Sequence, residues 1–208
     1  EIPGSRLGVT YSISPITATV LVTDNGDGTM ACAVTYGGGD GTDDQKAEDK
    51  SVKRLINTYS ASGQTTLIAW KTLENGELAD GQYTFKVEPA KDSPNAPMPT
   101  ATEAANGADG MITFGPINYS QESFGKSYSY LVSEIAKEND KTTVYDKSSL
   151  RYTVTPIDNG DGTISFDQKV VRVKEDGTEE EIDAPVFQNK AVDGSLRVEK
   201  YVKRGDAT

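Results

Sequence analysis

Apolar and polar residues alternate with a period of two in short runs along most of this chain, and Gly, Asn, Asp or Pro clusters separate the runs. That pattern predicts half-buried strands at about 65–73, 82–88, 110–117, 126–136, 149–157, 162–174 and 184–191. Two earlier runs, Thr17 to Thr23 and Met30 to Tyr36, read the same way, and no run has the spacing of a long amphipathic helix. The stretch 89–109 contains Pro89, Pro94, Pro97, Pro99 and several alanines, and it reads as a long loop with room for a short helix.

The runs repeat. Asp24-Asn25-Gly26-Asp27-Gly28-Thr29 recurs as Asp158-Asn159-Gly160-Asp161-Gly162-Thr163, displaced by 134 residues and again placed between two Thr/Val-rich strands. Leu55-Ile56-Asn57 maps onto Phe187-Gln188-Asn189 at 132, Glu1-Ile2 onto Glu134-Ile135 at 133, and Leu67-Ile68-Ala69-Trp70-Lys71 onto Leu196-Arg197-Val198-Glu199-Lys200 at 129. The landmarks partition the chain into residues 1–61, the C-terminal half of one domain; 62–192, a complete domain; and 193–208, the first strand of a third. The joins are short, which sets neighbouring domains nearly end to end. The expected class is all-β, with tandem immunoglobulin-like sandwiches.

Composition narrows the chemistry. The 208 residues carry a formal net charge of −11, so phosphate-rich partners would meet a repulsive field; nucleic acid is excluded as a partner, and the acidity suits a heavily exposed, soluble protein. There is no histidine and one cysteine, which removes intramolecular disulfides, Cys/His zinc sites and histidine-based triads. Cys32, in the strand-like run Met30 to Val34, is expected to be a buried apolar thiol. No apolar stretch is long enough to cross a bilayer, and the sequence contains neither a signal peptide nor a wall-sorting motif, so no direct membrane insertion is expected. The repeated Asp/Asn/Gly loops invite a calcium reading, but their spacing departs from the EF-hand pattern and fits a hairpin turn with positive-φ residues. No metal and no cofactor are expected.

Strand periodicity singles out three polar residues that share a face with apolar neighbours: Lys71 with Leu67, Ala69 and Leu73; Glu134 with Tyr128, Tyr130 and Val132; Asn189 with Phe187 and Ala191. Each is costly to bury alone. Together they can react: desolvation lowers the lysine pKa and raises that of the glutamate, so a neutral amine can attack the asparagine side-chain carbon. Glu134 hydrogen-bonds the Asn189 carbonyl and shuttles protons as ammonia leaves. The plainer alternative is an ordinary Lys71–Glu134 ion pair at a strand edge, with Asn189 capping a turn.

The residues Leu67 to Lys71, Gly81 to Val87, Tyr128 to Glu134 and Val186 to Asn189, in that order, resemble the isopeptide-linkage domains of Gram-positive pilins and adhesins. These are the collagen-adhesin B-type inverse immunoglobulin fold and its streptococcal major-pilin relatives. The resemblance covers residues 65–192 in full and 1–59 in part. It implies a first-strand lysine, Lys71, bonded to a last-strand asparagine, Asn189, with Glu134 assisting. Glu1 and Asn57 would then be the acid and acceptor of a preceding domain, and Lys200 the lysine of a following one. A head-to-tail bond between Lys200 and Asn57 of separate molecules is disfavoured, because neither end carries counterparts of the strands at 82–126.

The expected function is a non-enzymatic shaft or stalk module of a pilus or adhesin, extracellular on a bacterial surface, whose partners are adjacent domains or subunits of the same fibre. The alternative is an adhesin module that binds a host-surface ligand or glycan through loop 89–109. A hydrolase with paired carboxylates is disfavoured, since no second acid occupies a matching strand position.

Overall fold

The computed structural model describes residues 1–42 and 53–192, and its chain falls into two compact units. One unit comprises Glu1–Gly63, Tyr119–Gly125 and Pro156–Ser165; the other comprises Gln64–Asn118, Lys126–Thr155 and the described residues from Phe166 on.

The first unit contains β1 (Val9–Thr10), β2 (Ile16–Asp24), β3 (Met30–Gly38), β4 (Gly41–Thr42), β5 (Lys53–Arg54) and β6 (Thr58–Tyr59). Strands β2 and β3 form a hairpin in register from Ile16↔Gly38 to Asp24↔Met30. The turn between them closes on itself: Asp24 Oδ1 accepts from Gly26 N–H, Asp27 Oδ1 from Thr29 N–H, and Asn25 Nδ2 donates to Thr29 Oγ1. Its copy at Asp158 to Thr163 repeats each bond. One oxygen of each of these aspartates is engaged by the loop's own donors, and Gly26 and Gly160 take the positive φ (77° and 76°) that the turn requires.

Every residue of β2 is exposed, including Val20, Leu21 and Val22. Cys32 is exposed too, contrary to the buried thiol expected from its apolar run. The alternation in β2 and β3 is that of a strand pair with a covered face, but among the described residues this two-stranded sheet has no further strand hydrogen-bonded to it. Around the repeat landmark Leu55-Ile56-Asn57 the backbone is not continuous strand: only 53–54 and 58–59 pair, with β4 and β1 respectively.

The remaining strands build a sandwich. They are β7 (Ser62–Glu74), β8 (Thr84–Pro89), β9 (Glu103–Ala105), β10 (Met111–Ser120), β11 (Tyr128–Ile135), β12 (Thr143–Val144), β13 (Ser149–Asp158), β14 (Ile164–Val173), β15 (Glu179–Glu181) and β16 (Val186–Ala191). One sheet runs β10-β7-β16-β12 and the other β15-β14-β13-β11-β8-β9. The seven strands expected in this region all form, within a few residues of their expected ends. The three additional ones are only two or three residues long, too short for a period-two signal, and one of them, β9, occupies the loop where a short helix had room.

The inner faces hold Leu67, Ala69, Phe85, Val87, Ile112, Phe114, Tyr130, Val132, Leu150, Val154 and Phe187, all at most 2% exposed. Each large apolar side chain buried in this way contributes about 1.5–3 kcal/mol. Phe85 and Phe187 meet across the sheets with ring centroids 5.1 Å apart. Tyr152 Oη donates to Ile68 O at 2.7 Å, tying β13 to β7. This is an all-β, immunoglobulin-like sandwich.

Candidate functional site

Alternation along β7 turns Leu67, Ala69 and Lys71 inward, while Trp70 faces outward at 41% exposure. Lys71 is 2% exposed, so its ammonium lies within the core. β16 runs parallel to β7, with Phe187 opposite Lys71 and Asn189 opposite Leu73, and Asn189 is fully buried. β11, in the facing sheet, brings Glu134 opposite Phe85 of β8, and its side chain is 1% exposed. The three residues expected to meet do so.

The glutamate bridges the other two. Lys71 Nζ donates to Glu134 Oε2 at 2.8 Å, and Asn189 Nδ2 donates to Glu134 Oε1 at 2.7 Å. Aromatic rings wall the amine: Lys71 Nζ lies 4.9 Å from the Tyr83 ring centroid and 5.7 Å from that of Phe85. Burial pulls the Lys71 pKa below its ordinary value, with the Glu134 contact opposing in part. Burial pushes Glu134 up, against the hydrogen bond and charge of Lys71. Both shifts favour the neutral amine and the neutral acid.

One contact differs from expectation. Glu134 faces the amide nitrogen of Asn189, not its carbonyl. The carbonyl oxygen Oδ1 accepts from the backbone N–H of Asp146 at 2.8 Å, and because an N–H can only donate, that bond fixes which amide atom points where. Sequence reasoning overlooked Asp146 because it lies between β12 and β13, outside any alternating run. Its carboxylate is heavily engaged: Oδ1 accepts from Ser148 N–H (2.9 Å) and Ser148 Oγ (2.7 Å), and Oδ2 from Gln188 N–H (3.1 Å) and Arg172 Nη1 (3.2 Å). Burial opposes its ionisation, but these donors prevail and hold its pKa below the ordinary carboxylate value. The signal that could have found it is the repeat, which maps Ser12-Ile13-Ser14 onto Asp146-Lys147-Ser148 at the same displacement of 134 as the turns.

The first unit carries a second, more open arrangement. Asn57 Nδ2 donates to Glu1 Oε1 at 2.8 Å, and Asn57 Oδ1 accepts from Ser12 N–H at 2.8 Å. Glu1 and Asn57 are therefore paired as their counterparts Glu134 and Asn189 are, but both are exposed. Lys200 lies outside the described residues.

An all-β, immunoglobulin-like sandwich whose interior holds an acid in contact with both a lysine and an asparagine is the class of protein these observations define. The chain belongs to the Spy0128-like isopeptide containing domain family (FctA), which it matches over residues 1–60 and 67–191. Similar solved structures include the major pilin from Streptococcus pyogenes, at 17% identity and a TM-score of 0.39, covering 62% of this chain and 51% of that one. Another is the major pilin of a second S. pyogenes serotype, at 20% identity and a TM-score of 0.36, covering 64% and 53%. The chain thus spans about half the length of the pilins it matches. No curated protein matches it.

Proposed function

We propose that this chain is a structural segment of a Gram-positive surface pilus, with residues 62–192 forming a domain closed by a self-made amide bond between Lys71 and Asn189. The observation that carries this reading is the buried Glu134 carboxyl, whose two oxygens separately contact the amine and the amide nitrogen. A structural ion pair needs no third buried partner, whereas amide exchange needs a group that takes a proton from the nucleophile and returns one to the leaving nitrogen. Glu134 is in place for both transfers.

In the reaction, Lys71 Nζ adds to the Asn189 side-chain carbon, a C–N bond forms, the bond to Nδ2 breaks, and ammonia departs with a proton relayed by Glu134. Each molecule reacts once, so the protein is not an enzyme. Membership of the isopeptide family over both matched segments supports the same scheme for the first unit, with Glu1 and Asn57 as acid and acceptor of a domain whose lysine lies on another segment. Lys200 would serve a following repeat. Partners are then neighbouring domains and subunits of the same fibre on the bacterial surface.

The alternative, ligand binding through loop 89–109, is weakened by how that loop is used. Tyr130 Oη donates to Pro97 O, Ser129 N–H to Ser93 Oγ, and Ala90 N–H to Ser129 O, so the loop is fastened along β11. Intact-mass measurement tests the main reading: closure removes about 17 Da as ammonia. Lys71→Ala and Glu134→Ala should each retain the full sequence mass. A wild-type protein at full sequence mass would overturn the proposal, and glycan or host-protein binding lost on altering residues 89–109 would favour the alternative.

A further inference from the structure

Lys71, Glu134 and Asn189 account for nucleophile, proton carrier and leaving group, but not for the negative charge that develops on Asn189 Oδ1 when the amine adds to its carbon. That oxygen accepts a hydrogen bond from Asp146 N–H. We propose that this N–H is the oxyanion donor of the closure reaction, and that the Asp146 carboxylate and Arg172 are positioning residues that hold it against Asn189. The inference rests on the bond-forming reading above.

The clamp grips the turn on one side and the acceptor strand on the other. Asp146 Oδ1 closes its own turn through Ser148 N–H and Oγ. Asp146 Oδ2 takes the N–H of Gln188, the residue just before Asn189. Arg172 spans the gap: Nη1 donates to Asp146 Oδ2 and to Ser148 Oγ, and Nη2 to Val186 O at 2.5 Å, three residues before Asn189 on β16. Donor and acceptor are thereby tied to one frame, so the N–H needs no reorganisation as charge appears on the oxygen. When the tetrahedral adduct collapses, the electron pair on Oδ1 re-forms the C=O double bond, the C–Nδ2 bond breaks with its pair going to the nitrogen, and that nitrogen leaves as ammonia with the proton delivered by Glu134.

The first unit supports the assignment independently, because it reaches the same result with different residues. Ser12 N–H bonds Asn57 Oδ1, as Asp146 N–H bonds Asn189 Oδ1. The carboxylate that takes the N–H preceding the asparagine is supplied there by Asp40, through Ile56 N–H at 2.8 Å. Asp40 N–H also bonds Arg54 O, the counterpart of Val186 O, in place of the arginine. A backbone donor on the amide oxygen, and a carboxylate that accepts the N–H of the residue before the asparagine, are common to both sites although they come from different positions.

The test follows closure in time. The full chain is made by cell-free synthesis as wild type, Asp146→Ala, Asp146→Asn, Arg172→Met and Arg172→Lys, and loss of ammonia is tracked by intact mass. Asp146→Ala and Arg172→Met should close at least about tenfold more slowly, since small misplacements of reacting groups cost one to two orders of magnitude. The two conservative variants should fall between these and the wild type. The same substitutions are placed on a Lys71→Met background, where no bond can form, and thermal midpoint and hydrogen exchange of the Asp146 amide are read. A positioning role predicts faster exchange at that amide and slow closure, even in the variants whose midpoint is unchanged. Closure at the wild-type rate, or slowing that merely tracks lost stability, would overturn the clamp while leaving the bond intact. A wild type that never loses mass would instead overturn the bond, and the clamp with it.

Discussion

Desolvation decides the chemistry of Lys71 and Glu134. In water the pair would be a salt bridge between two full charges. With both side chains almost completely buried, the ion pair and its neutral tautomer approach each other in free energy, and only the neutral amine is a nucleophile. The two tautomers hold the same total of one proton, so the closure rate should be flat across a plateau of pH. It should fall on the acid side, where Glu134 gains a proton while Lys71 stays charged, and on the alkaline side, where both have lost theirs and none is left for the departing nitrogen. Mass-resolved closure rates at a series of pH values check this; a rate rising steadily with pH would mean that Lys71 acts without the glutamate. Asp146 behaves oppositely to Glu134. Its folded pKa lies below the unfolded one, so its contribution is present above the unfolded value and lost as pH falls through the folded value. Asp146→Asn should therefore flatten the acid limb of the thermal midpoint in the Lys71→Met background.

At the scale of the element, the parallel pairing of β7 and β16 sets Lys71 and Asn189 on neighbouring strands, and the facing sheet adds Glu134 from β11. That pairing is supported by a tight approach on the other side of β7: Lys71 N–H donates to Gly110 O at 2.7 Å, and a Cβ on Gly110 would stand 2.3 Å from Lys71 O. Gly110 also has φ of +85°, in the left-handed region. Gly110→Ala should cost at least about 1 kcal/mol in chemical denaturation and slow closure by displacing Lys71. Phe187, fully buried beside Asn189 and packed on Phe85, fixes the acceptor strand from within. Phe187→Ala should cost about 3–5 kcal/mol, read in the Lys71→Met background so that the crosslink does not mask the loss. A cost below about 1 kcal/mol would mean that β16 is held mainly by its backbone.

At the scale of the whole molecule, the proposed bond joins residues 118 apart in sequence, nearly the full span from β7 to β16. A crosslink closing a loop of that length is worth about 4–5 kcal/mol in the chain-entropy account. Wild type should exceed Lys71→Met by that order in equilibrium unfolding, and should outlast it in thermal and protease challenge. Under tension applied at the ends of β7 and β16, the path would run through the covalent bond, leaving the intervening strands unloaded. The first unit makes its own prediction. Cys32 should react freely with a thiol reagent in this chain, and become protected in a longer one that supplies the strands equivalent to those covering β13 and β14. Equal reactivity in both would count against 1–61 being part of a sandwich.

Strand positions, the repeat and the inward face of Lys71, Glu134 and Asn189 were determined by the sequence alone, because a period of two reports directly which side of a strand is buried. β9, β12 and β15 were not legible, since so few residues carry no periodicity. The exposure of Cys32 was not legible either, because alternation encodes a face suited to burial and says nothing about whether a partner sheet is there to cover it. Only the tertiary structure decided that Glu134 meets the amide nitrogen and that Asp146, from a loop without pattern, meets the oxygen. Those contacts depend on how two sheets and a turn are set against one another in space, and distances between separate strands leave no trace in the periodicity of any one of them.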